Sequence, residues 1–158
     1  MTPIVPGRFT AQVETPVVLF LIGMRFNHWH KVAKWWPVAL AMPRMLKELE
    51  ERKESGLLWH RTYLSGRVIM VQQYWRSFEH LTRYAHDKAG EHFPAWAAFN
   101  KSVGNDGTVG IWHESYLIKP TGYECIYGNM PVFGLAAATS HVPATGRLAQ
   151  AKDRFAAS

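Results

Sequence analysis

One stretch of the chain, residues 68–96, constrains the fold more than any other. Its first residues, VIMVQQYW, alternate between two sides and are rich in β-branched and aromatic types, which predicts a largely buried strand. Ser77 then offers a side-chain oxygen that can cap a helix, and Glu79 follows in the first turn, where the helix dipole favours a negative charge. Leu81 and Ala85 recur at helical spacing, so we expect this helix to dock back on the sheet.

The rest of the chain supplies further strands and another helix. We predict strands at residues 17–26, 57–64 and 108–118, a helix that opens near Pro37 and is kinked or restarted at Pro43, a second helical region at 77–103, and a short extended segment at 123–127. The resulting order, β-α-β-β-α-β with an extra C-terminal strand, is that of a ferredoxin-like α+β fold. Such a fold is an antiparallel sheet with helices on one face.

The other face of this predicted sheet also needs cover, because the strands at 17–26 and 68–75 are apolar on both sides. A C2 homodimer that packs sheet against sheet would provide it. Such a dimer encloses barrel-like pockets, which suit a small apolar or aromatic substrate.

The composition is that of one ordinary folded domain. With 158 residues, 47% hydrophobic and 19% charged, the chain is long enough to bury a core. We expect a single domain at residues 1–140, with an extended arm at 1–16, and a mobile tail at 141–158. The single cysteine, Cys125, excludes an internal disulfide framework and a multi-cysteine zinc site, and it is compatible with a cytoplasmic location.

The net charge of +6 raises the question of an anionic partner. Lysine and arginine are dispersed along the chain, so a solvated surface is expected and nucleic acid is not an expected partner. The N-terminal MTPIVPGRFT lacks the regions of a signal peptide, and the longest apolar run, residues 17–23, is far shorter than the roughly 20 residues that span a bilayer. We therefore predict no membrane partner.

His92 is the most suggestive single residue in the sequence. It follows a helix break and heads a stripe that continues through Trp96, Phe99 and Val103 on one helical face. A histidine in this position can act as a general base, or it can simply pack at the start of a helix.

Other candidates lie on the predicted strands. His113 and Glu114 are adjacent, so they point to opposite faces, and we favour Glu114, beside Trp112, as the one that faces a pocket. Gln72 and Gln73 also point to opposite faces, so one of them is a candidate hydrogen-bond donor to a substrate.

Two arginines and one asparagine in or next to the predicted strands are each open to two interpretations. Arg25 and Arg61 interrupt apolar strands and can clamp a carboxylate or stabilise an enolate, or they can form an ion pair with Glu114. Asn27 can orient a substrate carbonyl or dioxygen, or it can be a turn residue. The tryptophans 75, 96 and 112 are expected more often in a core than against a substrate.

Known metal and nucleotide motifs are missing from the sequence. His28 and His30 flank Trp29, but no HExxH motif or carboxylate cluster supplies a third ligand, so no metal site is predicted. There is no P-loop, no GxGxxG after a strand and no GxSxG elbow, which counts against NTP-dependent, dinucleotide-dependent and hydrolase functions.

Six motifs in residues 7–136 together resemble one family: FLIGMRFN, AMPRMLKEL, VQQYWRSFEHLTRYAHD, HFPAWAAFN, GIWHESY and YECIYGNMPVFGL. They are similar to the DUF4188 family, a group named after the monooxygenase of the fumagillin pathway. The resemblance implies a dimeric α+β barrel, related to antibiotic-biosynthesis monooxygenases and to haem-degrading enzymes of the same fold. In the haem-degrading branch a helix histidine ligates the iron, and here His86 or His92 would take that role.

The leading hypothesis is a small monooxygenase that oxidises an apolar, aromatic or natural-product-like substrate with O2, without metal or flavin. It requires a base, such as His92 or Glu114, an anion stabiliser, such as Arg25, Arg61 or a glutamine, and a dry apolar pocket. The alternatives are a haem-binding enzyme of the same fold, with His92 or His86 as axial ligand, and a non-catalytic ligand-binding dimer.

Overall fold

The computed structural model describes residues 3–87, 90, 97, 99–100 and 104–157. Its strands are β1 (Val5–Gln12), β2 (Val17–Phe26), β3 (Leu57–Ser65), β4 (Val68–Trp75), β5 (Val109–Ile118), β6 (Tyr127–Met130) and β7 (Ser140–Pro143). Its helices are α1 (Val32–Glu51), α2 (Phe78–His86), α3 (Gly134–Ala138) and α4 (Ala151–Ala157), with 3₁₀ turns at Lys53–Ser55 and Gly146–Leu148. None of the helices described here is long and apolar enough to cross a membrane.

Four strands form the main sheet, which is antiparallel and has the order β3-β4-β2-β5. The first and third of these strands along the chain are neighbours at the centre, and the second and fourth lie at the edges. This is the order of a ferredoxin-like sheet. The predicted α+β, ferredoxin-like class is therefore confirmed, and the four predicted strands agree with the observed ones to within one residue at each end.

Helix α1 differs from its prediction because it runs without interruption through two prolines. It begins at Val32 rather than near Pro37, and it continues past Pro43. Each proline removes one backbone donor, but the apolar side of the helix continues through to Leu46 and Leu49, which are both buried. Packing of this side on the sheet keeps the helix continuous.

Helices α1 and α2 cover one face of the main sheet. Helix α2 begins as predicted, because the Oγ atom of Ser77 accepts a hydrogen bond from the backbone N–H of His80 at 3.3 Å. Four buried residues join the two helices to the sheet: Val18, Leu49, Trp75 and Leu81.

The N-terminal segment, where the sequence predicts an extended arm, contains a strand. Strand β1 lies at the centre of a second sheet, of order β6-β1-β7. Pro6 and Gly7 argue against a regular strand, but Gly7 has a φ of +107° and lies where the register with β6 shifts, so a bulge accommodates both residues.

The C-terminal segment, where the sequence predicts a tail from residue 141, contains a strand and a helix. Strand β7 pairs with β1 along four residues. In α4, Arg154 is 5% exposed, and its Nε atom donates a hydrogen bond to Glu124 at 2.7 Å. The extended segment that we expected at residues 123–127 becomes a strand only at β6, from Tyr127 onward.

The small sheet and α3 cover part of the other face of the main sheet, which we call the open face. Val17 and Tyr74 of the main sheet pack there with Ala11, Leu135 and Ala136. The cover that the sequence led us to expect from a second copy is thus supplied in part by the chain itself.

We expect Gly23→Ala to destabilise the fold and Gly110→Ala, on the neighbouring strand, to be tolerated. A Cβ atom at Gly23 would lie 2.6 Å from Nε1 of Trp112, so the indole ring would have to move. Overpacking of this kind costs about 1–3 kcal/mol. A Cβ atom at Gly110 would meet only ordinary contacts, of which the nearest is Asn27 Nδ2 at 3.6 Å. Urea unfolding of both variants checks this, and equal midpoints would contradict it.

Candidate functional site

Several of the predicted polar residues meet on the open face. Arg61 is paired with Gln72, Gln72 is opposite Leu21, and Leu21 is opposite Glu114. Directly paired residues share a face of a sheet, so these four side chains form one row across the main sheet. Arg61 and Glu114 at the two ends of the row are exposed to solvent.

The side chain of Gln72 is held between two tyrosines. Tyr63 donates its hydroxyl hydrogen to Gln72 Oε1 at 3.0 Å, and Gln72 Nε2 donates to the hydroxyl of Tyr74 at 3.1 Å. Burial raises the pKa of Tyr63 and of Tyr74, although Arg61 and Gln72 respectively work against this. Both phenols therefore stay protonated at neutral pH.

The charged ends of the row have aromatic neighbours. The hydroxyl of Tyr116 donates to Glu114 Oε2 at 2.6 Å, and this hydrogen bond raises the pKa of Tyr116. The guanidinium of Arg61 lies 5.7 Å from the centre of the Phe133 ring. These charged groups lie at the surface of the open face and do not line an enclosed pocket.

Gln73 lies on the opposite, helix-covered face and is 4% exposed. The indole Nε1–H of Trp75 donates a hydrogen bond to Gln73 Oε1 at 2.8 Å. Because an indole nitrogen can only donate, this bond fixes which end of the amide is the oxygen. Nε2, which carries the two N–H donors, is then the end of the amide that does not bond to Trp75.

A cavity of about 60 Å³ lies between this face of the sheet and the two long helices. We call it the helix-side cavity. It is lined by Phe20, Ile22, Met42, Met45, Leu46, Leu49, Gln73, Trp75, Leu81, Tyr84 and Ala85. Among the described lining residues, only Gln73, Trp75 and Tyr84 carry a polar side-chain atom.

The amide nitrogen of Gln73 brings unpaired donors to this apolar space. Within the described part of the chain, the bond from Trp75 is the only hydrogen bond of the Gln73 side chain. A ligand oxygen can accept a hydrogen bond from these N–H groups, so the site is suited to a carbonyl, enolate or peroxide oxygen on an otherwise apolar molecule.

His60 is a functional candidate that the sequence reasoning missed. It is paired across the strands with Gln73, so the two side chains share the helix-covered face. Its Nε2 lies 2.9 Å from Glu50 Oε1, and its Nδ1 is buried without a hydrogen-bond partner in the part of the chain described. With Nε2–H donating to the carboxylate, Nδ1 is an acceptor that can take up a proton.

Tyr84 of α2 forms hydrogen bonds with α1 beside the cavity. Its hydroxyl is 3.2 Å from Glu48 Oε2 and 3.4 Å from the carbonyl oxygen of Met45. Glu48 is in turn paired with Arg52 at 2.8 Å. The sequence signal for these residues was the helical spacing of the apolar side of α1, which indicates a core as readily as a ligand cavity.

His113 and Glu114 point to opposite faces, as their adjacency predicts, but the cavity is on the side that we did not favour. His113 is opposite Ile22, and its ring is 5.7 Å from the ring of Phe20, so it lies on the same face as the cavity. Glu114 shares the open face with Trp112 and Arg61. The reason is that the two helices, and not the small sheet, enclose the internal space.

The remaining predicted side chains of β2 lie at its end. Arg25 donates a hydrogen bond to Asn27 Oδ1, and Asn27 Nδ2 donates to the carbonyl oxygen of Gly107 at 3.0 Å. Asn27 thus has the turn role that we weighed as its alternative. Arg25 is on the open face, since it is paired with Val68.

The described residues do not fit a haem in the helix-side cavity. No histidine is among the described lining residues, and a volume of about 60 Å³ is far below the roughly 300 Å³ of the smallest typical ligand pockets. His86 is exposed at the end of α2, with Nδ1 2.7 Å from the carbonyl oxygen of Thr82. His92 and Trp96 lie outside the described residues, and their roles stay predictions. No group of three or more metal-ligating side chains is close together in the described part of the chain.

The comparison with known proteins agrees with the fold. Two solved structures of aldoxime dehydratase, one of them in complex with butyraldoxime, superpose with TM-scores of 0.61 and 0.60 at 11% and 15% identity. Each match covers 75% of this chain and 38% of the other. At this level of identity the likeness is one of fold alone.

The comparison of sequences is more specific. Monooxygenase af470 of Aspergillus fumigatus (strain ATCC MYA-4609 / CBS 101355 / FGSC A1100 / Af293) is 26% identical over 157 aligned residues, which covers 82% of this chain. The chain spans 53% of that relative, or about half its length. Residues 17–135, three quarters of the chain, match the family described as monooxygenase af470-like. This confirms the family resemblance seen in the motifs, and the chain belongs to the monooxygenase af470-like family.

Proposed function

We propose that this chain is a monooxygenase that oxidises a small apolar or aromatic substrate with O2, and that the reacting part of the substrate enters the helix-side cavity. The observation that carries the proposal is the amide of Gln73, a residue that is 4% exposed and lines an apolar cavity, and whose nitrogen has no hydrogen-bond partner among the described residues. The family relationship supports the reaction class.

The proposed chemistry starts from a substrate with an acidic methylene group beside a carbonyl. In this proposal His60, oriented by Glu50, takes a proton from that methylene. His60 shares the helix-covered face with Gln73 but is not among the residues that line the cavity, so the methylene has to reach past the cavity lining to its Nδ1. Gln73 Nε2 donates to the enolate oxygen that develops. The enolate passes one electron to O2, and the two radicals combine to a peroxide at the same carbon, which takes the proton back from His60 as the hydroperoxide forms. Loss of water then turns the CH2 group into C=O. The substrate gives up two hydrogens and four electrons, one oxygen atom enters the product and the other leaves as water, so this scheme uses neither metal nor flavin.

The size of the cavity limits which part of the substrate is enclosed. A space of about 60 Å³ holds the reacting end of a molecule and not a whole natural product. Met42 and Met45 line the cavity, and their flexible thioether side chains can adapt to a substrate that enters further. In this proposal a second copy covers the rest of the open face, where Tyr116 is 49% exposed.

Oxygen uptake tests this proposal directly. The purified protein, with chelator present and no added reductant, is mixed with aryl ketones that have an acidic methylene and with phenols that can be oxidised to quinones. We expect one O2 consumed per carbonyl formed, and a loss of about 100-fold in rate for His60→Asn. No uptake by the wild-type protein with any of these compounds would overturn the proposal. A Soret band on titration with hemin, together with activity that requires hemin, would replace it with the haem alternative.

A further inference from the structure

The solvent side of α1 is apolar over its first three turns. Trp36 is 52% exposed, Val32 49% and Leu40 38%, and the three residues recur at helical spacing. Trp29, in the loop before the helix, is 63% exposed. A surface helix normally presents charged or polar residues to water. These four side chains, which we call the α1 patch, therefore point to a partner.

The sequence segment that contains the α1 patch carries charges of one sign. Glu14 and Glu48 are consecutive acidic residues, so no Asp or Glu occurs between them, whereas this segment contains five cations. Lys34 lies 3.6 Å from Asp106, and Lys47 lies 3.9 Å from Glu51. Lys31 and Arg44 are exposed, and neither has an acidic side chain within 4.0 Å among the described residues. Lys31 lies at one end of the patch and Arg44 at the other.

We propose that the α1 patch docks on an anionic lipid surface. Exposed tryptophans beside lysine and arginine suit the boundary between headgroups and acyl chains, where an apolar helix face inserts and the cations meet lipid phosphates. A second copy is a poorer partner, because a two-fold contact would place cations against cations without any acidic residue of the segment to compensate. Binding would be peripheral and does not require a helix that crosses the bilayer.

This proposal goes beyond the proposed oxidation and does not depend on it. Its physical consequence is that one helix would contact both the lipid and the cavity, since Met42 and Met45 on the same helix line the helix-side cavity. An apolar substrate dissolved in a membrane would then lie close to the protein.

Vesicle co-sedimentation of the full chain tests the proposal. The probes are vesicles of phosphatidylcholine mixed with phosphatidylserine, and vesicles of phosphatidylcholine alone. We expect the wild-type protein to sediment with the mixed vesicles, Trp36→Ser to partition about tenfold less, and Arg44→Gln to partition about fivefold less at low salt. The controls are Leu117→Ser, at another exposed apolar residue, and Arg147→Gln, at another exposed arginine; both lie outside α1, and both variants should bind as the wild type does.

Three results would overturn the proposal. The first is failure of the wild-type protein to sediment with the mixed vesicles, and the second is equal binding by Trp36→Ser. The third is an oligomer in solution that Trp36→Ser dissociates while vesicle binding stays unchanged, because the patch would then hold a second copy. Circular dichroism of Trp36→Ser shows whether it is folded, and Trp29→Ser provides an independent variant outside the helix.

Discussion

Replacement of Gln73 by leucine is expected to lower kcat by about 100-fold, because it removes the donor that we place against the developing oxyanion. Leucine fills nearly the same volume, so the substrate still has room to bind. The measurement is oxygen uptake under saturating substrate. The expected signature is a loss in kcat that exceeds any change in KM, since an oxyanion donor acts mainly in the transition state.

Gln72→Leu is the matched control, because it changes the same residue type at the next position, on the opposite face of the sheet. It removes the hydrogen bonds with Tyr63 and Tyr74 but leaves the helix-side cavity untouched. We expect kcat to stay within about threefold of the wild type. If Gln72→Leu were inactive and Gln73→Leu were active, the reaction would take place on the open face, and the role assigned to the cavity would be wrong.

Gln73→Leu also has a structural cost that must be measured separately. The indole N–H of Trp75 loses its acceptor while it stays buried, which costs about 1–3 kcal/mol. The protein must therefore be assayed well below its unfolding temperature, and circular dichroism must show that it is folded there. A loss of activity that followed the loss of folded protein would not support a catalytic role.

The periodicity of the sequence was enough to predict the main sheet. Strands β2 and β4 are mostly apolar on both faces, and their predicted bounds match the observed ones. The same alternation showed that Gln72 and Gln73, and also His113 and Glu114, must point to opposite faces. It could not show which face encloses a cavity, because both faces of the central strands are apolar and the enclosed space depends on how two distant helices pack.

The small sheet could not be predicted, because its strands are held together by pairing between the two ends of the chain. Strand β1 contains Pro6 and Gly7, and only a bulge allows it to pair with β6. His60 was missed for a related reason. Its partner Glu50 belongs to a different element, and its buried Nδ1 becomes visible only once β3 is paired with β4. From the sequence alone, a histidine in a strand can be a base or a packing residue.

The α1 patch was not visible in the charge distribution of the whole sequence. The cations are indeed dispersed along the chain, and this argued against an anionic partner. In the folded chain Lys34, Arg44 and Lys47 lie on α1 and Lys31 directly precedes it, as does the exposed Trp29. The absence of acidic residues from residue 15 to residue 47 is visible in the sequence, but a charge count over the whole chain does not show it. A count by segment would have revealed it.

Trp75→Ala is expected to cost about 3–5 kcal/mol of the free energy of unfolding. The Trp75 side chain is entirely buried, packs against Leu49 and Leu81 from the two helices, and donates to Gln73. Alanine would remove the contacts that dock both helices on the sheet, and it would leave a cavity and an unpaired amide oxygen. For a domain whose total stability is roughly 5–15 kcal/mol, this is a large fraction.

Trp36→Ala is the matched control, since it removes the same side chain from an exposed position on α1. We expect its free energy of unfolding to lie within about 0.5 kcal/mol of the wild type. Urea unfolding followed by circular dichroism measures both variants, and a lower midpoint at an unchanged m-value identifies a true loss of stability. If the two variants were equally destabilised, then the solvent side of α1 would be as tightly packed as the core. The α1 patch could not then be an open docking surface, so this stability measurement also bears on the proposed contact with lipid.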